Sequence, residues 1–479
     1  MNEPPRQLTL AQWDERHARL AAAGLREPAY GGRLGRHFED GDRRLSRLKF
    51  DNSPAALRLW NFLLSEEERL FAARDAGKKI VGTMKDLGTV PVMAWSLPEV
   101  VAFYPDGAWW IPCVMELDDR LLAVADSLGV NESFCPVRAM LGAFATKTKF
   151  PTPDLLISSV GATCDDFSAI AQRVEGLGHP ILWWEIPHRR EPELDEEAVD
   201  LPGNADLLIG SGEKSPLRRV AFPRLRAPRS QVEFVHGELE RIRAALEDLA
   251  GRKLTDAMLA DGIAIANENR RALAELRRVV FTAPLAPLPS LELLIAEMLI
   301  IHFCSDRAEC LEVLKELLAE ARRRVENREG HFSLDAARVF WVNPVADLRV
   351  MNLLEACGGR VCGTDYLFSH ALDEIPEALP PMESLARSAL ADPMAGPARD
   401  RAGRILAEMA LFGAEAIVVS RIPGASHCAT EGEVIAREAR RRGWPVIEIE
   451  VPPVSDALSP QIAGRLEALV ETVKARRSR

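Results

Sequence analysis

Apolar residues fall into two patterns along this chain. Some runs are short and continuous, as in a parallel strand buried on both faces, and others recur every three or four positions, as on one face of a helix. Short runs at 80–83, 109–115, 155–160 and 181–186, separated by helical spacing, predict a first parallel-sheet domain over 76–230. A second, over 336–479, starts at Ala337-Arg-Val-Phe-Trp-Val, continues through 361–368 and closes with a helix over 460–477. Residues 231–335 carry only helical spacing: 233–249 ended by Gly251, a run opened by Thr255-Asp256 and reaching 280, then 291–303 and 306–327. The first 75 residues are charged and have helical spacing over 54–73, so a helical N-terminal segment is expected; 188–230 and 376–400, rich in proline, read as loops. The expected fold class is α/β: two Rossmann-like or flavodoxin-like sheets, with helical N-terminal and central segments.

Two stretches repeat one pattern. Pro153-Asp-Leu-Leu-Ile-Ser-Ser-Val-Gly-Ala-Thr-Cys164 leads through helical spacing to Gly178-His-Pro180 and a new apolar run. Ala414-Glu-Ala-Ile-Val-Val-Ser-Arg-Ile-Pro-Gly-Ala-Ser-His-Cys428 leads likewise to Gly443-Trp-Pro445 and another. Each reads as a βαβ unit, which makes the two domains an internal repeat. Each carries a cysteine just past the carboxyl end of a strand, where ligands of open α/β sheets bind. Two such domains facing each other would aim Cys164 and Cys428 into one cleft, and convergent thiols suit a soft metal or a cluster.

Composition narrows the setting. With 479 residues and 47% hydrophobic content, the chain can form two or three cores. A net charge of -11, with the one basic block at Lys474-Ala-Arg-Arg-Ser-Arg479, argues against nucleic acid. The apolar run 291–303 is broken by Glu297 and is shorter than the roughly 20 residues of a membrane span. A soluble, cytoplasmic protein is expected, whose eight cysteines stay reduced and act as ligands or core residues.

Among those cysteines Cys135 is the best third donor, because Pro136 suits the first turn of a helix and would leave the thiol at a helix N-terminus. Cys304, Cys310, Cys357 and Cys362 read as structural, and Cys113 at an expected strand end stays open. The chain has no CxxC and no HxxxH, so a compact zinc site is not indicated. An iron-sulfur cluster accepts ligands spread through a sequence, and three thiolates would leave one iron open to substrate or water. Gly210-Ser-Gly-Glu-Lys-Ser215 lacks the spacing of a phosphate loop and reads as a turn. His427, beside Cys428, could donate a hydrogen bond to a cluster sulfur or be an ordinary loop histidine. Glu99, in Ser96-Leu-Pro-Glu99, is placed in the first turn of a helix and is a candidate base, with Ser96 beside it, or merely a favourable partner of the helix dipole.

The three cysteine segments together resemble the 2-hydroxyacyl-CoA dehydratase and benzoyl-CoA reductase family. Ser96-Leu-Pro-Glu99 with Gly107-Ala108, Lys253-Leu-Thr-Asp-Ala-Met-Leu259 with Asn267-Glu-Asn-Arg-Arg-Ala-Leu273, and the closing Pro460-Gln-Ile-Ala-Gly-Arg465 are similar to its signatures, in the same order over 78–475. The resemblance implies a 4Fe-4S cluster on Cys135, Cys164 and Cys428, a homologous second subunit in a heterodimer and a separate ATP-hydrolysing iron-sulfur activator. It also implies an acyl-CoA thioester substrate that loses water through a ketyl radical. Reduction of an aromatic or enoyl-CoA ester, or a non-catalytic cluster-bearing partner subunit, are the alternatives. A branch of the family with a double-cubane cluster would place further cysteines where this chain has Asn343 and, nearby, Leu367.

Overall fold

The computed structural model describes residues 6–41, 43–84, 88–106, 120–203, 222, 224–302, 305–367, 372–452 and 460–478. Cys113, Cys304, Gly107-Ala108, the expected strand at 109–115 and the 210–215 turn lie outside the described residues.

Two four-stranded sheets, all parallel, organise the chain. The first contains β1 (Lys79–Met84), β2 (Val100–Phe103), β3 (Leu155–Gly161) and β4 (Ile181–Ile186) in the order β2-β1-β3-β4. The second contains β5 (Ala337–Val342), β6 (Gly359–Asp365), β7 (Ala416–Arg421) and β8 (Val446–Glu450) in the order β6-β5-β7-β8. Inner strands are apolar on both faces because helices cover both; Phe340, Trp341, Val342, Ile417, Val418 and Val419 are all fully buried. From β3 the chain enters helix α1 (Asp165–Gly176), and from β7 it enters helix α2 (Ser426–Arg441). Both connections back to the sheet turn at a glycine with positive φ, Gly178 at 93° and Gly443 at 86°, followed closely by Pro180 and Pro445.

The central helices form as the spacing predicts: Arg229–Ala250, Asp256–Thr282, Ser290–His302 and Arg307–Glu326. Gly251 ends the first in the left-handed conformation, while Thr255 and Asp306 cap two others by accepting from Met258 N and Glu309 N. The N-terminal segment is helical over Leu10–Ala22, Gly35–Glu39, Pro54–Leu64 and Glu66–Asp75. A buried ionic knot ties it to the central helices. Arg324 donates to both Asp51 carboxylate oxygens at 2.7 and 3.1 Å, His331 Nε2 lies 2.8 Å from Asp51, and Glu292 accepts from Asp51 N and Trp60 Nε1.

Two expectations are corrected. Pro98-Glu99 begins no helix: Glu99 lies in a turn whose carbonyl accepts from Lys79 N, and the next residue enters strand β2 in register with β1. Strand pairing has overridden a dipeptide that favours helix starts. Within 376–400, helices run over Pro381–Leu390 and from Ala398 in the helix Ala398–Phe412. Pro381 occupies the first turn and Pro397 the N-cap, where the missing N–H costs nothing, so these prolines start helices.

Candidate functional site

Each of the three predicted thiols sits where a loop becomes a helix. Cys164 is the N-cap of α1, reached from β3 through Gly161, whose φ of 94° and closeness to Ile186 O would place a Cβ only 2.3 Å from that oxygen. A side chain there would strain the turn, so the route to Cys164 requires glycine. Cys428 lies in the first turn of α2 and is 3% exposed. Cys135 is the N-cap of a short 3₁₀ turn, Pro136–Arg138, that leads into the helix Ala139–Thr146. The proline-started turn therefore forms as predicted.

The segments that carry them pack together: the Pro136–Arg138 turn lies against α1, and α1 lies against α2. Burial pushes the Cys135 thiol well up, and Cys164 raises it further; Asp166 and Cys428 add to the effect, while a hydrogen bond from Val137 N–H works the other way. Both of the other predicted thiols thus disfavour a charge on Cys135. Backbone contact fixes part of this geometry: Gly424, with φ of 80°, packs so tightly that a Cβ would lie 2.6 Å from Phe134 C and O and 3.0 Å from Cys135 N. Asp166 supplies another tie. Its Oδ2 accepts from Ser426 N at 3.3 Å and Ser426 Oγ at 3.4 Å, joining the start of α1 to the start of α2, and lies 3.9 Å from Cys164 Sγ. Burial raises the Asp166 carboxyl, and the Ser426 hydrogen bonds oppose that rise.

Other candidates stand elsewhere. Ser96 is the C-cap of the helix Val90–Trp95, donates to Val92 O at 2.8 Å and packs on Gly262, where a Cβ would come 2.0 Å from its Oγ. It serves a close helix contact. Glu99 precedes β2 and pairs with Arg252 at 2.9 Å, both side chains being largely solvated at 42% and 51% exposure. A backbone hydrogen bond, then Arg252, hold its carboxyl below the usual range. Glu99 lies at the amino ends of the parallel strands and Cys164 follows a carboxyl end; at about 3.3 Å per residue, β3 separates those levels by about 20 Å. A depressed, ion-paired carboxylate that far away is poorly placed to take a proton at the thiols. His427 Nε2 lies 3.1 Å from Glu431.

The remaining described cysteines behave as core residues. Burial raises Cys310 to about 12 and Cys362 to about 11, and the half-buried Cys357 lies 4.0 Å from Ala463 O. Among the described residues no group of three or more His, Cys, Asp or Glu side chains is arranged to hold a metal ion. A cleft of about 710 Å³ lies between the N-terminal segment and the helix Arg307–Glu326, lined by His17, Glu27, Arg58, Asn61, Glu309 and others, and none of the three thiols borders it. No described helix is long and apolar enough to cross a membrane.

Sequence reasoning missed Asp166 and Gly424 as parts of this site. Asp166 carried one local signal, an acidic residue in the first turn after Cys164. Compared with known families, residues 103–473 match the one described as 2-hydroxyglutaryl-CoA dehydratase, D-component. No curated protein matches the chain significantly.

Proposed function

The chain belongs to the 2-hydroxyglutaryl-CoA dehydratase D-component family, and from that premise we propose that it is the iron-sulfur subunit of a 2-hydroxyacyl-CoA dehydratase-type enzyme, with Cys135, Cys164 and Cys428 as ligands of a 4Fe-4S cluster. The observation that supports the reading is that three cysteine-bearing turns, distant in sequence, pack against one another at the starts of their helices. Their chemistry fits such a group. Three soft thiol donors suit a thiophilic metal centre, and ligands on separate loops suit one wider than a single ion. When bound, the cluster would supply single-electron chemistry and an open, Lewis-acidic iron for loss of water from a 2-hydroxyacyl-CoA thioester.

The chain's own residues would do the positioning. Gly424 brings the loop before α2 against Cys135, Asp166 fastens α1 to α2, and the Val137 N–H favours the Cys135 thiolate. Burial of Cys428 keeps water from its sulfur. A D-component is one part of a complex, so a related second subunit and an ATP-hydrolysing iron-sulfur activator complete the proposed system. The shared strand order of the two sheets supports reading them as one repeated unit, with 76–230 and 336–479 as its copies. A non-catalytic cluster-bearing partner is the second reading. It would gain if the Asp166 carboxylate, 3.9 Å from Cys164 Sγ, served as a further cluster ligand.

Protein purified without oxygen should carry about four iron and four sulfide per chain. Cys164→Ser and Cys428→Ser should lose most of it, and Cys362→Ser should keep it. Equal loss in all three would refute the assignment. Incubation with activator, reductant and either a 2-hydroxyacyl-CoA or benzoyl-CoA then separates dehydration, which needs electrons only catalytically, from reduction, which consumes them.

A further inference from the structure

Behind Cys428 lies a polar assembly that the proposed ligand set does not use. Asn343 follows β5 with φ of 70°, a left-handed conformation that asparagine tolerates better than most residues, and it is fully buried. Its side-chain amide is fully committed. Nδ2 donates to Ser420 O at 2.9 Å and to Cys428 O at 3.3 Å, and Oδ1 accepts from Arg401 Nη2 at 2.8 Å. Arg401 is itself 1% exposed and divides its fork between Asp365 Oδ1 at 3.0 Å and Glu431 Oε2 at 2.7 Å, so its plane cannot turn away from Asn343. The amide orientation follows, because only this one aims N–H groups at two carbonyls and oxygen at a guanidinium.

We propose that Asn343, held by Arg401, is the positioning residue that fixes the Cys428 turn against β5 and β7 so that the thiol faces Cys135. This rests on reading Cys428 as a cluster ligand. A lysine at 401 would keep the charge and lose the three-way fork, and a glycine at 343 would keep the backbone conformation and lose all three side-chain amide bonds. Arg404, also buried, supplies a control because its hydrogen bonds to other described residues go to Asp373 and Glu408.

The test compares Asn343→Gly, Arg401→Lys and Arg404→Lys in the full-length chain. In anaerobically reconstituted protein, the first two should lower iron content at least twofold and alter the electron paramagnetic resonance signal of the reduced cluster, and Arg404→Lys should leave both unchanged. In iron-free protein, alkylation of Cys428 by iodoacetamide, followed by mass spectrometry, should quicken about tenfold in the first two only, as expected when a local hold on the turn is released. Wild-type iron content and spectrum with unchanged Cys428 alkylation in Asn343→Gly and Arg401→Lys would overturn the proposal while leaving the functional reading intact. If the unaltered chain takes up no iron, the functional reading has failed, and the alkylation ratio still decides whether Asn343 holds this turn.

Discussion

Replacing Gly424 with alanine tests the contact that brings Cys135 to the second sheet. Two costs add. At φ of 80° an L side chain strains the backbone, worth about 1–2 kcal/mol. The new Cβ would also lie 2.6 Å from Phe134 C, about 1 Å inside the closest comfortable carbon approach, and overpacking of this kind costs about 1–3 kcal/mol. Gly443→Ala isolates the first term, since its φ of 86° is similar and nothing lies within 4 Å of its Cβ. Urea unfolding of reduced, iron-free protein, followed by circular dichroism, should therefore place Gly424→Ala about 2–5 kcal/mol below wild type and Gly443→Ala about 1–2 kcal/mol below, without a change in the slope of either transition. Equal losses in the two variants would mean that the approach to Phe134 and Cys135 carries no energy, and the argument that this glycine sets the thiol geometry would fail.

Two further outcomes follow from buried charge. Arg324→Ala should cost about 3–5 kcal/mol in the same assay, because it leaves the Asp51 carboxylate buried without its main cation; a loss under 1 kcal/mol would mean that water or rearrangement replaces Arg324 easily. Burial lowers His37 to about 4 while its Nε2 meets Asn61 Oδ1 at 3.0 Å. Its folded value lies below the unfolded one near 6.5, so its contribution is complete above about pH 6.5 and is lost as pH falls toward about 4. His37→Gln should flatten the stability profile across that window by up to one proton, about 1.4 kcal/mol per pH unit, and an unchanged slope would exclude His37 as its source.

Local signals were legible wherever one residue type decides the backbone. Gly251, Thr255 and Asp306 mark helix ends because caps act within a turn, and the runs at 155–160 and 181–186 mark strands because both faces are covered. The positions of Cys164 and Cys428 follow from the same local grammar. Pairing was not legible: β2 is a strand because β1 lies beside it, and nothing within Pro98–Glu99 announces that. Nor could periodicity reveal that Asp166 meets Ser426 or that Arg401 turns Asn343 toward Cys428, since these contacts join residues far apart in sequence. Glu99 is the complementary case, since a dipeptide carries no sign of the end of the sheet at which it falls.

Strand β1 lies between β2 and β3, yet its residues precede the family-matched stretch, which begins at Phe103. A protein shortened to that stretch would lose the keystone of its first sheet, leaving β3 with a raw edge of unpaired N–H and C=O groups, an invitation to aggregation. It would also strip Asp51 from Arg324 and His331. For expression work, the boundary drawn by family likeness and the boundary at which this molecule can stand alone are different places.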